Sequence, residues 1–260
     1  MPEINMTFDD VPSLYHKARP RYPEPFFDRI AEIAGTSPGF RVLELGSGTG
    51  IATRPMLERG WSVDCIEPGG ALAEIAREDL REFPNLSTEV TTFEDWSGEE
   101  ASYDLIVSAT AFHWIKSDVR YTKSHRYLKP GGHLAVIQYQ HVADGDVAMF
   151  DEIQDCYLAH MPGTNKRETL KPPTKRTQSA RDMKRSGLFD VVESDSLLEI
   201  IPYTRAEYFD LISTYSGHRM LEPAQFDALT SCIGTIIDGE GGTIRKGYAH
   251  ELVIGKRLEL

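Results

Sequence analysis

Residues 42–50, VLELGSGTG, set a short apolar run holding one acid directly before glycines at every second position: Gly46, Gly48 and Gly50. An apolar run of this length bounded by glycine reads as a buried strand of a parallel sheet, closed by a tight turn that opens a helix. Glycine suits such a turn because it reaches positive φ and lets a ligand approach the backbone. A glycine turn after a strand is also a common structural device, so the motif has to be weighed with its surroundings. The spacing is G-x-G-x-G rather than the dinucleotide-binding G-x-G-x-x-G. Glu44 precedes the turn, where a carboxylate would repel a pyrophosphate and suit a cation.

The surrounding pattern repeats strand and helix. A helix is expected over residues 24–34, with Phe26, Phe27, Ile30, Ile33 and Ala34 on one face. Strands follow at about 40–45, 62–66, 86–91, 103–108 and 133–139. Helices are expected between them at 51–59, 71–81 and 117–127, with Pro55 tolerated in the first of these only near its first turn. This alternation specifies an α/β fold, a doubly wound, Rossmann-like parallel sheet. Ligands of such sheets bind beyond the carboxyl ends of the strands, where Gly46, Glu67, Glu94 and Ser108 fall. Glu67 stands where a ribose-hydroxyl acceptor is needed. A ligand with ribose, positive charge and no phosphate fits these residues, and S-adenosylmethionine has all three properties.

With VLELGSGTG, Glu67, Thr92-Phe93-Glu94-Asp95-Trp96 and LKPGGHLAV (residues 128–136) in order, the chain resembles the class I S-adenosylmethionine-dependent methyltransferases over roughly residues 10–140. The resemblance implies a seven-stranded sheet with an antiparallel last strand and a helical cap over the substrate side. It implies cofactor contacts from Glu44, Gly46, Ser47, Gly48, Gly50, Glu67, Pro68, Phe93, Glu94 and Ser108. The stretch YHKARPRYP resembles a segment that folds over the cofactor in small-molecule members, which adds Tyr15 and Arg19. A weaker C-terminal likeness, to a subgroup that includes trans-aconitate methyltransferases, makes a carboxylic acid acceptor an expectation.

Residues 1–24 are polar with several prolines, and read as an irregular arm. The arm is either a solvated basic tail or a lid. After Tyr139 the pattern changes. Helices are expected at 147–161, 180–186, 207–215 and 223–238, strands at 191–202 and 248–258, and a Pro- and Lys-rich excursion at 162–178. The whole reads as one domain: an arm over 1–24, a cofactor core over 25–140, cap segments at 141–190 and 203–245, and final strands at 191–202 and 248–258.

His113 and Trp114 follow the fourth strand. A histidine among aromatic residues suits a core position. At a strand end it also suits a pocket mouth, where it could accept a proton from an acceptor. Trp114 and Tyr139 are candidates to line the acceptor's site. Tyr215, His218 and Arg219 end a cap helix, as a polar terminus or as a clamp for an anion. The residues after strand four, Ser108-Ala109-Thr110-Ala111-Phe112, lack the Asn/Asp-Pro-Pro-aromatic sequence of amino-methylating DNA enzymes.

The formal charge of −12 argues against nucleic acid, which is bound through Lys and Arg. Three scattered cysteines form neither a disulfide framework nor a metal pattern, and no metal is expected. No apolar run approaches membrane-spanning length. The expectation is a cytoplasmic monomer or homodimer that methylates a small molecule at a carboxylate or hydroxyl oxygen, yielding S-adenosylhomocysteine. A cofactor-binding module without turnover and a nicotinamide-dependent oxidoreductase are the alternatives.

Overall fold

A computed structural model describes residues 11–174 and 178–259. Seven strands form one sheet in the order β3-β2-β1-β4-β5-β7-β6. The strands are β1 (Arg41–Leu45), β2 (Ser62–Glu67), β3 (Leu86–Val90), β4 (Tyr103–Ala109), β5 (Leu128–Gly145), β6 (Phe189–Thr204) and β7 (Thr243–Arg257). β1 pairs in parallel with β2 and β4, β2 with β3, and β4 with β5. The sheet is mixed, with its last strand antiparallel. Order and direction agree with the Rossmann-like expectation.

The described residues group into two compact units. One comprises Pro20–Tyr139, the segment ending at Leu197 and the segment beginning at His250. β1 and β4 are buried on both faces, with successive side chains entering opposite layers. Val42, Leu105 and Ala135 pack with Phe26, Phe27 and Ile30 of α2 (Glu24–Ala34), while Leu43, Leu45 and Ile106 join Phe93, Trp96 and Tyr127. α2 starts with proline in its first turn and stops at Gly35, whose φ is 91°, as helix-end preferences require. α3 (Thr53–Glu58) is shorter than the pattern suggested. Pro55 is its third residue, inside the first turn, where no N–H is needed. α4 (Gly70–Asp79) and α5 (Ser117–Tyr127) complete the alternation.

The other unit comprises the stretch ending at Arg19, Gln140–Thr174 and Leu198–Ala249. It contains α1 (Pro12–Ala18), α6 (Val147–His160), α8 (Arg205–Ile212), α9 (Ser216–Arg219) and α10 (Pro223–Gly239). α7 (Gln178–Arg185) belongs to the sheet-based unit. α1 corrects the expectation of an irregular arm. Pro12 occupies its first position, where proline favours a helix rather than breaking it. Lys17 bridges to Asp210 of α8 at 2.8 Å, and Arg19 donates to the Thr214 carbonyl at 2.9 Å. Residues 1–10 of the expected arm lie outside the described residues, as do residues 175–177 of the expected excursion. The rest of the excursion is anchored by Arg167, which pairs with Asp151 and Asp155.

Two further expectations are corrected. β5 runs well past both ends of the predicted 133–139, because Lys129, Pro130 and the polar Gln138, Gln140 and His141 hide its strand character. Cys156 and Cys232, read as unpaired, form a disulfide that joins α6 to α10 across 76 residues of sequence. Cys65 is free and buried. Among the described residues no helix is long and apolar enough to cross a membrane, and no cluster has the composition of a metal site.

Candidate functional site

The Gly-rich turn takes the shape its sequence requires. Gly46, Gly48 and Gly50 have φ of 71°, 56° and 85°. A Cβ on Gly46 would lie 2.5 Å from that of Ala111, so a side chain there would be both strained and crowded. At the end of β2, the Glu67 carboxylate accepts the Gly48 N–H at 2.7 Å with one oxygen and the Gly69 N–H at 2.8 Å with the other. The two strand ends are thereby locked into one rim, with Pro68 between the acid and Gly69.

Glu44 lies beneath the turn and is 1% exposed. One oxygen accepts the Thr53 hydroxyl at 2.6 Å, while the other, Oε1, has no hydrogen-bond partner. Burial, reinforced by the Glu67 charge and opposed by the Thr53 and Cys65 hydrogen bonds, pushes its carboxyl up to about 7. Ser47 is buried in the turn above it.

The other cofactor candidates divide by role. Ser108 donates to the Leu45 carbonyl at 2.9 Å, which joins β4 to β1. Phe93 is buried and stacks with Trp96 at 6.3 Å. The Glu94 carboxylate accepts the Lys116 N–H at 2.9 Å. Thr110, just beyond β4, has φ of 57°, a conformation costing a non-glycine residue about 1–2 kcal/mol. Its hydroxyl pairs with Tyr22 at 2.8 Å and its N–H with the Ile137 carbonyl. These bonds hold the strained conformation in place, and nothing in the sequence signalled it.

His113 and Trp114 form a single 3-10 turn, Phe112–Trp114, with their rings 4.9 Å apart. Trp114 is 44% exposed. Burial of the imidazole, with Arg120 nearby, lowers the His113 pKa from 6.5, so the ring is neutral at pH 7. Tyr139 packs against Tyr22 and His250, at 6.0 and 5.7 Å between ring centres.

A second group of predicted residues gathers in the other unit. The Arg19 guanidinium lies over the rings of Tyr15 and Tyr215, at 4.8 and 5.0 Å. His218 Nε2 is 2.9 Å from the Tyr157 hydroxyl. Arg219 closes α9, its N–H bonded to the Tyr215 carbonyl. The residue that sequence reasoning missed is Lys246 of β7. It is 4% exposed and donates to the Tyr215 hydroxyl at 2.9 Å. A signal existed: by strand alternation Lys246 shares a face with Ile244, Tyr248 and His250, all buried.

Residues 42–132 match a family model described as a methyltransferase domain. Over that stretch the chain is similar to methyltransferases. Over 135 residues it is 29% identical to an uncharacterised methyltransferase of Mycobacterium tuberculosis, covering 52% of this chain and 53% of that one. Over 106 residues it is 33% identical to malonyl-[acyl-carrier protein] O-methyltransferase 1 of Ilyobacter polytropus, covering 40% of this chain and 39% of that one. The chain thus matches about half the length or less of these curated relatives. Among solved structures it resembles a candidate type II methyltransferase from Anaeromyxobacter dehalogenans, with TM-score 0.66 and 22% identity over 93% of this chain and 99% of that one. It also resembles a Haemonchus contortus phosphoethanolamine N-methyltransferase 2 in complex with phosphomonomethylethanolamine and S-adenosylhomocysteine. There the TM-score is 0.56 at 14% identity, covering 100% of this chain and 61% of that one. These structural likenesses concern the fold. The matched residues span the Gly-rich turn, Glu67, Glu94 and His113.

Proposed function

We propose that the chain transfers a methyl group from S-adenosylmethionine to an oxygen of a small-molecule acceptor, a carboxylate or a hydroxyl. The observation that carries this reading is the Glu67 carboxylate held between the Gly48 and Gly69 amides. It fixes an acceptor for vicinal hydroxyls beside a backbone that has no side chains to obstruct it. The buried, unpaired Glu44 Oε1 fits a ligand that brings a cationic donor, and disfavours a pyrophosphate.

In this reading Gly46, Ser47, Gly48 and Gly50 form the floor of the cofactor site, Glu67 and Pro68 its ribose side, and Phe93 and Glu94 its adenine side. When bound, the cofactor supplies a methyl group already activated on a sulfonium, so the protein's work is positioning and exclusion of water. A carboxylate acceptor needs no base. For a hydroxyl acceptor the neutral His113 ring offers a nitrogen to take the proton, with Trp114 and Tyr139 beside the acceptor.

Incubation with a labelled methyl donor and panels of small carboxylic acids and alcohols tests the proposal. Label transferred to one class supports it. Binding of S-adenosylhomocysteine without transfer to any member would point to a module without turnover, and tighter binding of a nicotinamide dinucleotide would point to an oxidoreductase. His113→Asn should cut transfer to a hydroxyl at least tenfold and leave transfer to a carboxylate unchanged.

A further inference from the structure

Lys246 sits among aromatic rings, phenols and imidazoles. Its ammonium is buried and lies 5.9, 5.3 and 5.5 Å from the ring centres of Phe150, Tyr215 and Tyr248. Among the described residues its one side-chain hydrogen-bond partner is the Tyr215 hydroxyl, and no carboxylate pairs with it. A buried ammonium is tolerated only when charge and hydrogen bonds compensate it. Ring faces and one phenol supply part of that.

The neighbouring groups are phenols and imidazoles. The Tyr215 oxygen accepts from the Lys246 ammonium at 2.9 Å and pairs with the Tyr248 hydroxyl, which also pairs with Tyr203 at 3.3 Å. Burial pushes the Tyr215 phenol up, and the charges of Lys246 and Arg19 outweigh it, so the net shift is downward. On the other side, Tyr208 bonds to Tyr157, and Tyr157 bonds to His218 Nε2 at 2.9 Å. Burial keeps Tyr157 and Tyr208 protonated, and with Lys246 nearby it lowers His218 to about 4. A phenol donating to Nε2 of a neutral imidazole leaves the proton on Nδ1. That Nδ1 is buried and has no partner. His141, on the Phe150 side, is lowered to about 3 by burial and by Lys246, and its Nε2 is likewise buried and unpaired.

We infer that Lys246, Tyr215 and His218 form an oxyanion-binding site, and that its ligand is the carboxylate of the methyl acceptor. One ammonium with neutral donors matches a singly charged carboxylate better than a doubly charged phosphate. The aromatic walls of Phe150, Tyr215 and Tyr248 suit an acceptor whose carboxylate is carried on an apolar or aromatic body. The inference rests on the methyltransferase reading only for the identity of the ligand as acceptor. The binding site is argued from the cluster alone. It moves the anchoring role expected of Arg219 to Lys246.

Calorimetry and thermal melts of the full chain with benzoate, succinate and inorganic phosphate test it without the cofactor. Benzoate should bind saturably and raise the melting temperature of the wild type. Lys246→Met should weaken benzoate binding at least tenfold while remaining folded, because an apolar side chain replaces a buried charge. Lys246→Arg should restore part of the affinity. Saturable binding that is equal in wild type and Lys246→Met would overturn the site, as would phosphate binding tighter than either carboxylate. A tyrosinate absorbance band at pH 8 that vanishes in Tyr215→Phe, with no carboxylate binding, would make the phenolate the counter-ion of Lys246 and also overturn it. Carboxylate binding without methyl transfer would leave the site standing and refute the functional reading. Transfer confined to neutral acceptors would do the reverse.

Discussion

Glu67 and Gly48, the end of one strand and the turn after another, are joined by a 2.7 Å hydrogen bond between carboxylate and backbone amide. The same carboxylate holds Gly69, so a single acid shapes the rim before any ligand arrives. Glu67→Ala leaves two amides without their acceptor. It should lower stability by about 2–3 kcal/mol and weaken S-adenosylhomocysteine binding by at least a hundredfold. Glu67→Gln keeps one acceptor and should be milder on both counts. Denaturant melts and calorimetry of the two variants check this, and an unchanged affinity in Glu67→Ala would remove Glu67 from the cofactor site.

Glu44 predicts a pH dependence with a definite sign. Its carboxyl is raised from 4.5 to about 7 in the folded chain, chiefly by burial. Between those values the folded state holds a proton that the unfolded state has lost. Stability therefore falls as pH rises through that window and levels off above about 7, by up to about 3 kcal/mol. Glu44→Gln should flatten this slope and be the more stable protein at pH 8. A cationic ligand favours the ionised form, so cofactor affinity should rise with pH across the same window. Melting curves at half-unit steps from pH 5 to 8 decide the first point, and an equal slope in the variant would refute it.

The arm makes a third test. Lys17 and Arg19 tie α1 to Asp210 and Thr214 in the absence of any ligand. Amides of α1 should be protected from exchange without cofactor, and Arg19→Ala should expose them. Protection that develops only with S-adenosylhomocysteine would restore the arm as a mobile lid.

The Cys156–Cys232 bond is the fourth. Closing a loop of this length stabilises a chain by about 2–4 kcal/mol. Reductant, or Cys232→Ser, should lower the melting temperature accordingly, while unfolding without reductant should release only the Cys65 thiol. Equal stability of the oxidised and reduced chains would show that the bond carries no structural role. Such bonds persist in oxidising surroundings, which sets this pair against the cytoplasmic expectation drawn from scattered cysteines.

What could be read from the sequence follows from how local each signal is. The run Val42–Leu45 before three glycines, and Ser62–Glu67 ending in an acid, declare strand, turn and a carboxylate at the strand end within a few residues. The order of these segments then specified the sheet. Cys156 and Cys232 could not be paired in advance, because pairing depends on how α6 meets α10 and not on spacing. Thr110 has no residue-type signature for positive φ. Lys246 was visible only as a charge out of place on an apolar strand face, a signal that appears once β7 is given its full length of Thr243–Arg257. α1 was obscured by its prolines, although Pro12 sits at the one helical position that favours it.

The unit that holds α1, α6 and α8 to α10 is assembled from three separated stretches of chain, and its last stretch ends only at Ala249. β1 to β4 can pair among themselves while the later residues are still being synthesised, since their partners lie within residues 41–109. This unit has no such freedom: α1 waits for α8, and α6 waits for Cys232 of α10. During translation at about 5–20 residues per second, helices such as α6 must persist for several seconds with their apolar faces uncovered. That unit can therefore be neither excised as a stand-alone fragment nor transplanted as a contiguous cassette, and any change to it has to come by substitution within the whole folded chain.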